Sequence, residues 1–406
     1  MPEINIALIR EGKIPVDRRV TLTPQQAVEV QKKFPHVKVY CQRSEHRCFS
    51  DAQYQELGIT LVDDVSHCDI LLGVKEVPIP ELIADKTYLF FSHTIKKQAY
   101  NRELLQQILK KNIRLIDYER LTNDKGNRIV AFGRFAGIVG AYNGLYTYGQ
   151  KSGLYDIRRA KDCYDLEDLK TEYAKIKLPP IKIALTGAGR VAKGAMEVLD
   201  GVGVRKVTPK EYLEESFDEP VYAQLFVTDY NLKKGGGDFS RQEFFKHPEQ
   251  FEPGFQPYTK VTDLFIAGAF WDHRAPVLFF RADMLADDFQ IKVIADITCD
   301  IEGSIPSTKR PSTIEKPVYD YDPQEDKVVD EPYTENTNVS VMAIDNLPSE
   351  LPRDASRSFG ENLIKYVFPN LLGEDDGMIA RATITDQRRL TPPYQYLQDY
   401  VEGKGE

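Results

Sequence analysis

Cysteine is scarce in this chain. There are five in 406 residues, an odd number, and no two form a C-x-x-C pair. That excludes zinc-ribbon spacing and argues against a disulfide framework at this length. A reducing, cytoplasmic setting is the expectation. Positive charge is also short: 53 Lys and Arg stand against 62 Asp and Glu, for a net charge of −9. Nucleic acid and anionic membrane select basic patches, so neither is expected as a partner, which leaves room for a basic pocket holding a small anion. No apolar run approaches the roughly 18 residues of a membrane span. The start, Met1-Pro2-Glu3-Ile4-Asn5, has neither the basic segment nor the apolar core of a secretory signal. No fixed-period repeat or low-complexity tract is visible. What is present is 42% hydrophobic residues, enough for ordinary cores, in a length suited to two or three domains.

Three short apolar runs in the first third end abruptly in charge. Ile70-Leu71-Leu72-Gly73-Val74 meets Lys75-Glu76, Tyr88-Leu89-Phe90-Phe91-Ser92 meets His93, and Ile113-Arg114-Leu115-Ile116-Asp117 meets Tyr118-Glu119. Runs of this length separated by helical stretches read as parallel strands. Their carboxyl ends would line one edge, where α/β sheets bind ligands. Further strands are expected at 4–9, 37–40 and 59–62, and helices at about 50–57 and 101–111. Thr23-Pro24-Gln25-Gln26 reads as a capped helix start, with threonine as cap, proline at the first position and glutamine completing a capping box. A single lysine at a strand end is ordinarily a solvated rim group, and a single histidine ordinarily a structural hydrogen-bonder. Lys75 and His93 at matching strand ends are harder to dismiss, because acid–base chemistry needs such convergence. Asp17-Arg18-Arg19 taken alone reads as a surface charge cluster.

The small-residue stretch Gly133 to Ala141 suits a tightly packed interdomain helix, and the charged segment 161–177, closed by Pro179-Pro180, reads as a domain transition. A second sheet opens with Ile181 to Thr186 and runs directly into Gly187-Ala188-Gly189-Arg190-Val191-Ala192-Lys193-Gly194. This is G-x-G-x-x-A after a strand and before a helix-compatible stretch. The first glycine permits the turn, the second admits a pyrophosphate and the alanine allows close packing, with the anion on the helix N-terminus. The bland alternative is a tight strand–helix turn without ligand. NAD sites usually place an acid at the end of the next strand. Here that strand is Val204 to Val207, no acid precedes Glu211, and Arg205, Lys206 or Lys210 would suit a 2′-phosphate, which tilts the expectation from NAD(H) toward NADP(H). Later strands are expected at 225–228, 264–267, 292–295 and 339–344. Residues 304–338 read as an irregular excursion outside the core, and 232–239, with Gly235-Gly236-Gly237, as a loop.

At these residues the sequence resembles the lysine-forming saccharopine dehydrogenases, in particular the lysine–ketoglutarate reductase half of aminoadipic semialdehyde synthase, within the alanine dehydrogenase and transhydrogenase superfamily. The resemblance is carried by Arg19-Val20-Thr21-Leu22-Thr23-Pro24, Gly73-Val74-Lys75, Phe90 to Lys96, Arg114 to Glu119, Val130 to Gly133, Lys246-His247-Pro248-Glu249, Ala295-Asp296-Ile297 with Gly303-Ser304-Ile305, and Ile344 to Pro348. It implies two Rossmann-like, doubly wound parallel-sheet domains separated by a cleft: residues 1–134 with 346–406 for substrate, and 135–345 for dinucleotide. It implies reductive condensation of L-lysine with 2-oxoglutarate to saccharopine, or the reverse, using NAD(P)(H) and no metal. Lys75 and His93 match the acid–base pair, and Glu76 and Glu119 the carboxylates that tune it. Arg19 matches a substrate-carboxylate ligand, with Lys96 and Arg128 as helpers. Gly187, Ala188, Gly189, Arg190, Val191, Arg205, Asp296 and Asp345 fall to the cofactor. Arg134 departs from the uncharged residue expected there, as an added carboxylate contact or an exposed charge. The competing readings are an alanine-dehydrogenase-like enzyme using ammonia, and a dinucleotide-binding regulatory protein without turnover.

Overall fold

The computed structural model describes residues 2–404. The chain divides into two compact units. The first runs to Phe132 and resumes at Pro352, and the second is Gly133–Leu351.

The first unit is built on an eight-stranded sheet in the order Arg389–Leu390, Thr383–Asp386, Arg114–Asp117, Thr87–Phe90, Ile70–Leu72, Ile4–Leu8, Val37–Gln42, Thr60–Val62. The six N-terminal strands pair in parallel, and the two C-terminal ones add antiparallel. Leu71, Leu89, Leu115 and Ile116 are fully buried, as strands covered on both faces must be. The Pro24–Lys33 helix begins as its sequence dictates. Thr23 Oγ1 accepts from Gln26 N, and Gln26 Oε1 accepts from Thr23 N. A cap of this kind contributes about 1 kcal/mol.

The second unit carries another eight-stranded sheet, in the order Lys327–Val329, Val318–Asp322, Val339–Met342, Val293–Asp296, Leu264–Ala267, Lys182–Thr186, Val221–Leu225, Arg205–Val207. All but the first two strands are parallel. Two parallel-dominated sheets of this kind are two Rossmann-like folds. Among the described residues no helix is long and apolar enough to cross a membrane.

Four expectations need correction. Residues 304–338 are not outside the core, because their hairpin extends the sheet and fully buries Tyr319 and Tyr321. Asp320 between them disguised the strand; its carboxylate accepts from Ser340 Oγ and lies 3.9 Å from Lys151 Nζ. The strand expected at 225–228 lies at Val221–Leu225, and Val227–Tyr230 is a helical turn whose start is capped by Asp229 Oδ2 accepting Phe226 N at 2.7 Å. The loop at 232–239 opens inside a strand, Asn231–Lys233, antiparallel to Phe251–Pro253, before Gly235, Gly236 and Gly237 turn it at positive φ. The charged stretch 161–177 sits inside the second unit, where Arg158 ties Asp168 and Glu172 at 2.8 Å each.

The second unit begins instead at the Gly133–Ser152 helix, which crosses the Arg190–Val202 helix at backbone contact. A Cβ on Gly137 would lie 1.9 Å from Val191 O, and one on Gly194 would lie 2.0 Å from Arg134 O. Arg134 is on this helix, exposed, and paired to Glu197 at 2.7 and 2.6 Å, which makes it a surface charge of the crossing.

Candidate functional site

Parallel register brings the three charged strand ends to one edge of the first sheet. Ile70–Leu72 pairs with Thr87–Phe90, and that strand pairs with Arg114–Asp117. The pairing continues past the first strand, since Phe91 N donates to Val74 O at 3.0 Å. His93 then turns the chain at φ +53, a left-handed value uncommon outside glycine. Its Nδ1 is 2.7 Å from Glu76 Oε1, while Glu76 Oε2 receives Lys13 Nζ at 2.8 Å. Burial alone would raise the Glu76 pKa, but the bonds from His93 and Lys13 hold it down at about 2. An ionised Glu76 can only accept, so Nδ1 is the nitrogen that donates to it, and Nε2 is the ring nitrogen that Glu76 leaves open to other partners.

Aromatic rings support this edge. Phe91 stacks with His93, with centroids 6.5 Å apart and planes 19° apart, and Phe132 lies on Phe359 at 4.6 Å and 10°. Tyr118 meets Phe91 and Phe359 by its edge, at 5.2 and 5.0 Å. The Arg19 guanidinium lies 4.1 Å over the Phe132 ring. Asp17 and Arg19 are buried, which corrects their reading as surface charges; only Arg18 is exposed. Arg19 Nε and Nη2 grip Asp17 Oδ1 and Oδ2 at 3.0 and 2.5 Å. Burial opposes ionisation of Asp17, yet the Arg19 charge and hydrogen bonds, helped by Lys75, hold its pKa far below the usual range.

Glu119 follows the third strand end. It faces Arg128 at 3.3 Å and Lys96 at 4.0 Å, so these three predicted residues form their own cluster. Three further groups escaped the sequence reading. Lys13 follows the carboxyl end of the Ile4–Leu8 strand, the same placement that singled out Lys75 and His93. Glu11 accepts Val74 N at 2.6 Å and Lys75 N at 2.8 Å. Asp117 accepts the Ser92 hydroxyl, Ser92 N at 3.2 Å and Glu119 N at 2.7 Å, with burial pushing its pKa up to about 6 against those donors.

In the second unit the glycine loop follows the Lys182–Thr186 strand. Gly187 sits at φ +112, and a Cβ there would meet Gly268 O at 2.9 Å. Gly189 precedes the first helical residue, Arg190, with nothing within 4 Å of its Cβ position. Ala188, Gly189, Arg190 and Val191 thus present a helix N-terminus and bare backbone, which fits a pyrophosphate. At the same carboxyl edge lies an apolar cavity of about 230 Å³ lined by Thr186, Phe245, Ala267, Phe270 and Trp271.

The other cofactor candidates behave differently. Asp296 is buried and spent on its own loop, accepting from Thr298, Cys299 and Thr308. Asp345 is exposed beyond the Val339–Met342 strand. Arg205 lies on the edge strand and pairs with Glu219 at 2.7 Å. The strand beside the glycine-loop strand is Val221–Leu225, so Arg205 is not on the adjacent strand, the one whose end ordinarily reads a ribose. Spacing along the chain had suggested NADP(H); the inserted strand removes that argument.

Residues 7–139 match the family model for the alanine dehydrogenase/PNT N-terminal domain. The mouse mitochondrial alpha-aminoadipic semialdehyde synthase is 31% identical across 98% of this chain and 48% of its own length. This chain therefore spans about half of that relative. The Neurospora crassa saccharopine dehydrogenase [NAD(+), L-lysine-forming] is 26% identical over 94% of this chain and 96% of the relative. Among solved structures, an L-alanine dehydrogenase superposes with TM-score 0.66 at 16% identity, covering 98% of this chain and all of that one. A Sinorhizobium meliloti transhydrogenase gives 0.56 at 14% identity, covering 96% and 99%. These two show the fold. Over 7–139 the chain is thus similar to the alanine dehydrogenase/PNT N-terminal domain, and over nearly its whole length it is similar to these aminoadipic semialdehyde synthase and saccharopine dehydrogenase relatives.

Proposed function

We propose that this chain is an NAD(P)-dependent oxidoreductase that condenses L-lysine with 2-oxoglutarate to saccharopine, or runs the reverse oxidation. The observation that carries this reading is the Lys75–Glu76–His93 arrangement at adjacent strand ends, with Arg19 over the same aromatic support. The lysine ε-amine adds to the ketone carbon and its proton leaves. The carbinolamine then loses its hydroxyl as water, which needs a proton delivered to that oxygen. Bound NAD(P)H supplies the hydride that reduces the imine carbon. Lys75 and His93 are the groups that give and take these protons, with His93 oriented through Nδ1 by Glu76. Arg19 orients a substrate carboxylate, and Lys96 and Arg128 lend positive charge. Ala188, Gly189, Arg190 and Val191 hold the pyrophosphate, and the aromatic cavity suits a flat heterocycle.

The test is an assay of the purified protein with NADH or NADPH and 2-oxoglutarate, adding lysine, ornithine or ammonia separately and following nicotinamide absorbance. Lysine-dependent oxidation supports the reading. Oxidation with ammonia alone makes it an alanine-dehydrogenase-like enzyme, and silence with every amine makes it a non-catalytic binding protein.

A further inference from the structure

Glu11 lies where the first strand runs out. Past Leu8 the chain stays in register with its neighbour, Ile9 N donating to Leu72 O at 3.0 Å, and this carries Glu11 over the end of the Ile70–Leu72 strand. There its two oxygens take two successive backbone donors, Val74 N at 2.6 Å and Lys75 N at 2.8 Å. Gly73 lies directly beneath this approach, since a Cβ there would lie 3.0 Å from Ile9 Cδ1 and in ordinary contact, 3.6 Å, with Glu11 Oε1. We propose that Glu11 is the positioning residue for Lys75, gripping its backbone so that the amine leaves the strand end in one direction. This rests on the reading of Lys75 as an acid–base group.

The electrostatics agree with that role. Burial, and then the Asp17 charge, push the Glu11 pKa up to about 8 against its two backbone donors and Arg19. The charged and titratable groups around it are Asp17, Arg19, Lys75 and Tyr118. Near neutral pH the carboxyl holds its proton, so it orients Lys75 without placing a full negative charge beside an amine that must release a proton. Glu76, one residue on, is ionised and serves His93 instead. The two carboxyls thus divide the work.

Glu11→Gln tests this, because an amide NH₂ facing a backbone N–H cannot accept. The expected result is a folded protein whose kcat falls about 10- to 100-fold, as for a reacting group misplaced by about 1 Å, with KM for 2-oxoglutarate changed less than about twofold. The alkaline side of the pH–rate profile, to which ionisation of Glu11 near 8 contributes, shifts in the variant. Glu11→Asp keeps both acceptors on a shorter arm and restores part of the rate. If Glu11→Gln does not fold, Glu11→Asp carries the same comparison of kcat and pH profile. A folded variant with wild-type kcat and pH profile overturns the proposal. Lys75→Met is measured alongside. Inactive Lys75→Met with unimpaired Glu11→Gln sinks the positioning role alone, whereas fully active Lys75→Met removes the reading of Lys75 and the positioning role together.

Discussion

Glu76 Oε1 and His93 Nδ1 lie 2.7 Å apart at the ends of adjacent parallel strands, and the other Glu76 oxygen is taken by Lys13. This contact ties pH to stability in a definite direction. The Glu76 pKa is lowered from 4.5 to about 2 in the folded chain, by donors that outweigh burial. A depressed acid contributes stability that is present above the unfolded value and lost as pH falls toward the folded one. Glu76→Gln should therefore flatten the loss of stability between about pH 4.5 and 2. Urea melts of both proteins at pH 5, 4 and 3 measure it, and parallel curves would remove Glu76 from the acid transition.

Asp117 should act with the opposite sign. Burial raises its pKa from 3.8 to about 6. The folded chain then holds a proton that the unfolded chain has lost, so stability falls as pH rises across that window. Asp117→Asn removes this slope, though it also weakens the grip on Ser92 and Glu119 and lowers stability throughout. The measurement is the difference in unfolding free energy between wild type and variant at pH 4, 5, 6 and 7. The gap should be widest at pH 4 and narrow toward pH 7; a constant gap refutes the assignment.

The Asp17–Arg19 pair is a stability element as well as a candidate ligand site. Both side chains are nearly inaccessible, at 2% and 3% exposed. Removing one partner strands a buried charge, at a cost of about 3–5 kcal/mol. Asp17→Ala should lower the melting temperature of this unit by roughly 10 °C. The double variant Asp17→Ala with Arg19→Met should recover part of that loss. Equal melting of single and double variants would show that the pair is solvated rather than buried.

The edge of the first sheet was legible because three of its strands are short apolar runs ending in charge, and register then placed Lys75 and His93 together. The glycine loop was legible because Gly187 needs its positive φ and its bare backbone. What escaped was long-range partnering. Nothing near Lys75 in sequence shows that Glu11, more than sixty residues earlier, takes its N–H. The burial of Asp17 and Arg19 escaped for a related reason, since polar residues read as surface until a partner and an aromatic face are known. Strand order escaped too. A local reading supplies the next strand in sequence, whereas the sheet places Val221–Leu225 between the glycine-loop strand and Arg205–Val207.

That inserted strand carries its own prediction. Arg205 sits half-exposed on the edge strand, 2.7 Å from Glu219. An exposed pair of this kind contributes about 0–1 kcal/mol, and from this place it does not read the ribose. Arg205→Ala should leave the ratio of kcat/KM for NADPH to that for NADH unchanged within about twofold. A tenfold fall in that ratio would return Arg205 to the cofactor and reinstate the reading from sequence spacing.

The crossing of the Gly133–Ser152 and Arg190–Val202 helices couples fold to cofactor. Gly194 lies four residues past the first helical residue, and a methyl there would fall 2.0 Å from the Arg134 carbonyl oxygen, far inside contact distance. The obstacle is backbone, so no side-chain rotation relieves it and the helices must part. Overpacking of this kind costs about 1–3 kcal/mol or more. The same helix carries the N-terminus, at Gly189 and Arg190, that is proposed to hold the dinucleotide, so on that reading its displacement should weaken cofactor binding as well as stability. Gly194→Ala is therefore expected to lower the melting temperature and raise the Kd for NAD(P)H in a fluorescence titration. Lys193→Ala, on the exposed side of the same helix, should fold and melt like wild type. Melting and affinity that both stay unchanged in Gly194→Ala would mean that the helices do not meet at backbone distance and that the loop is held by other contacts.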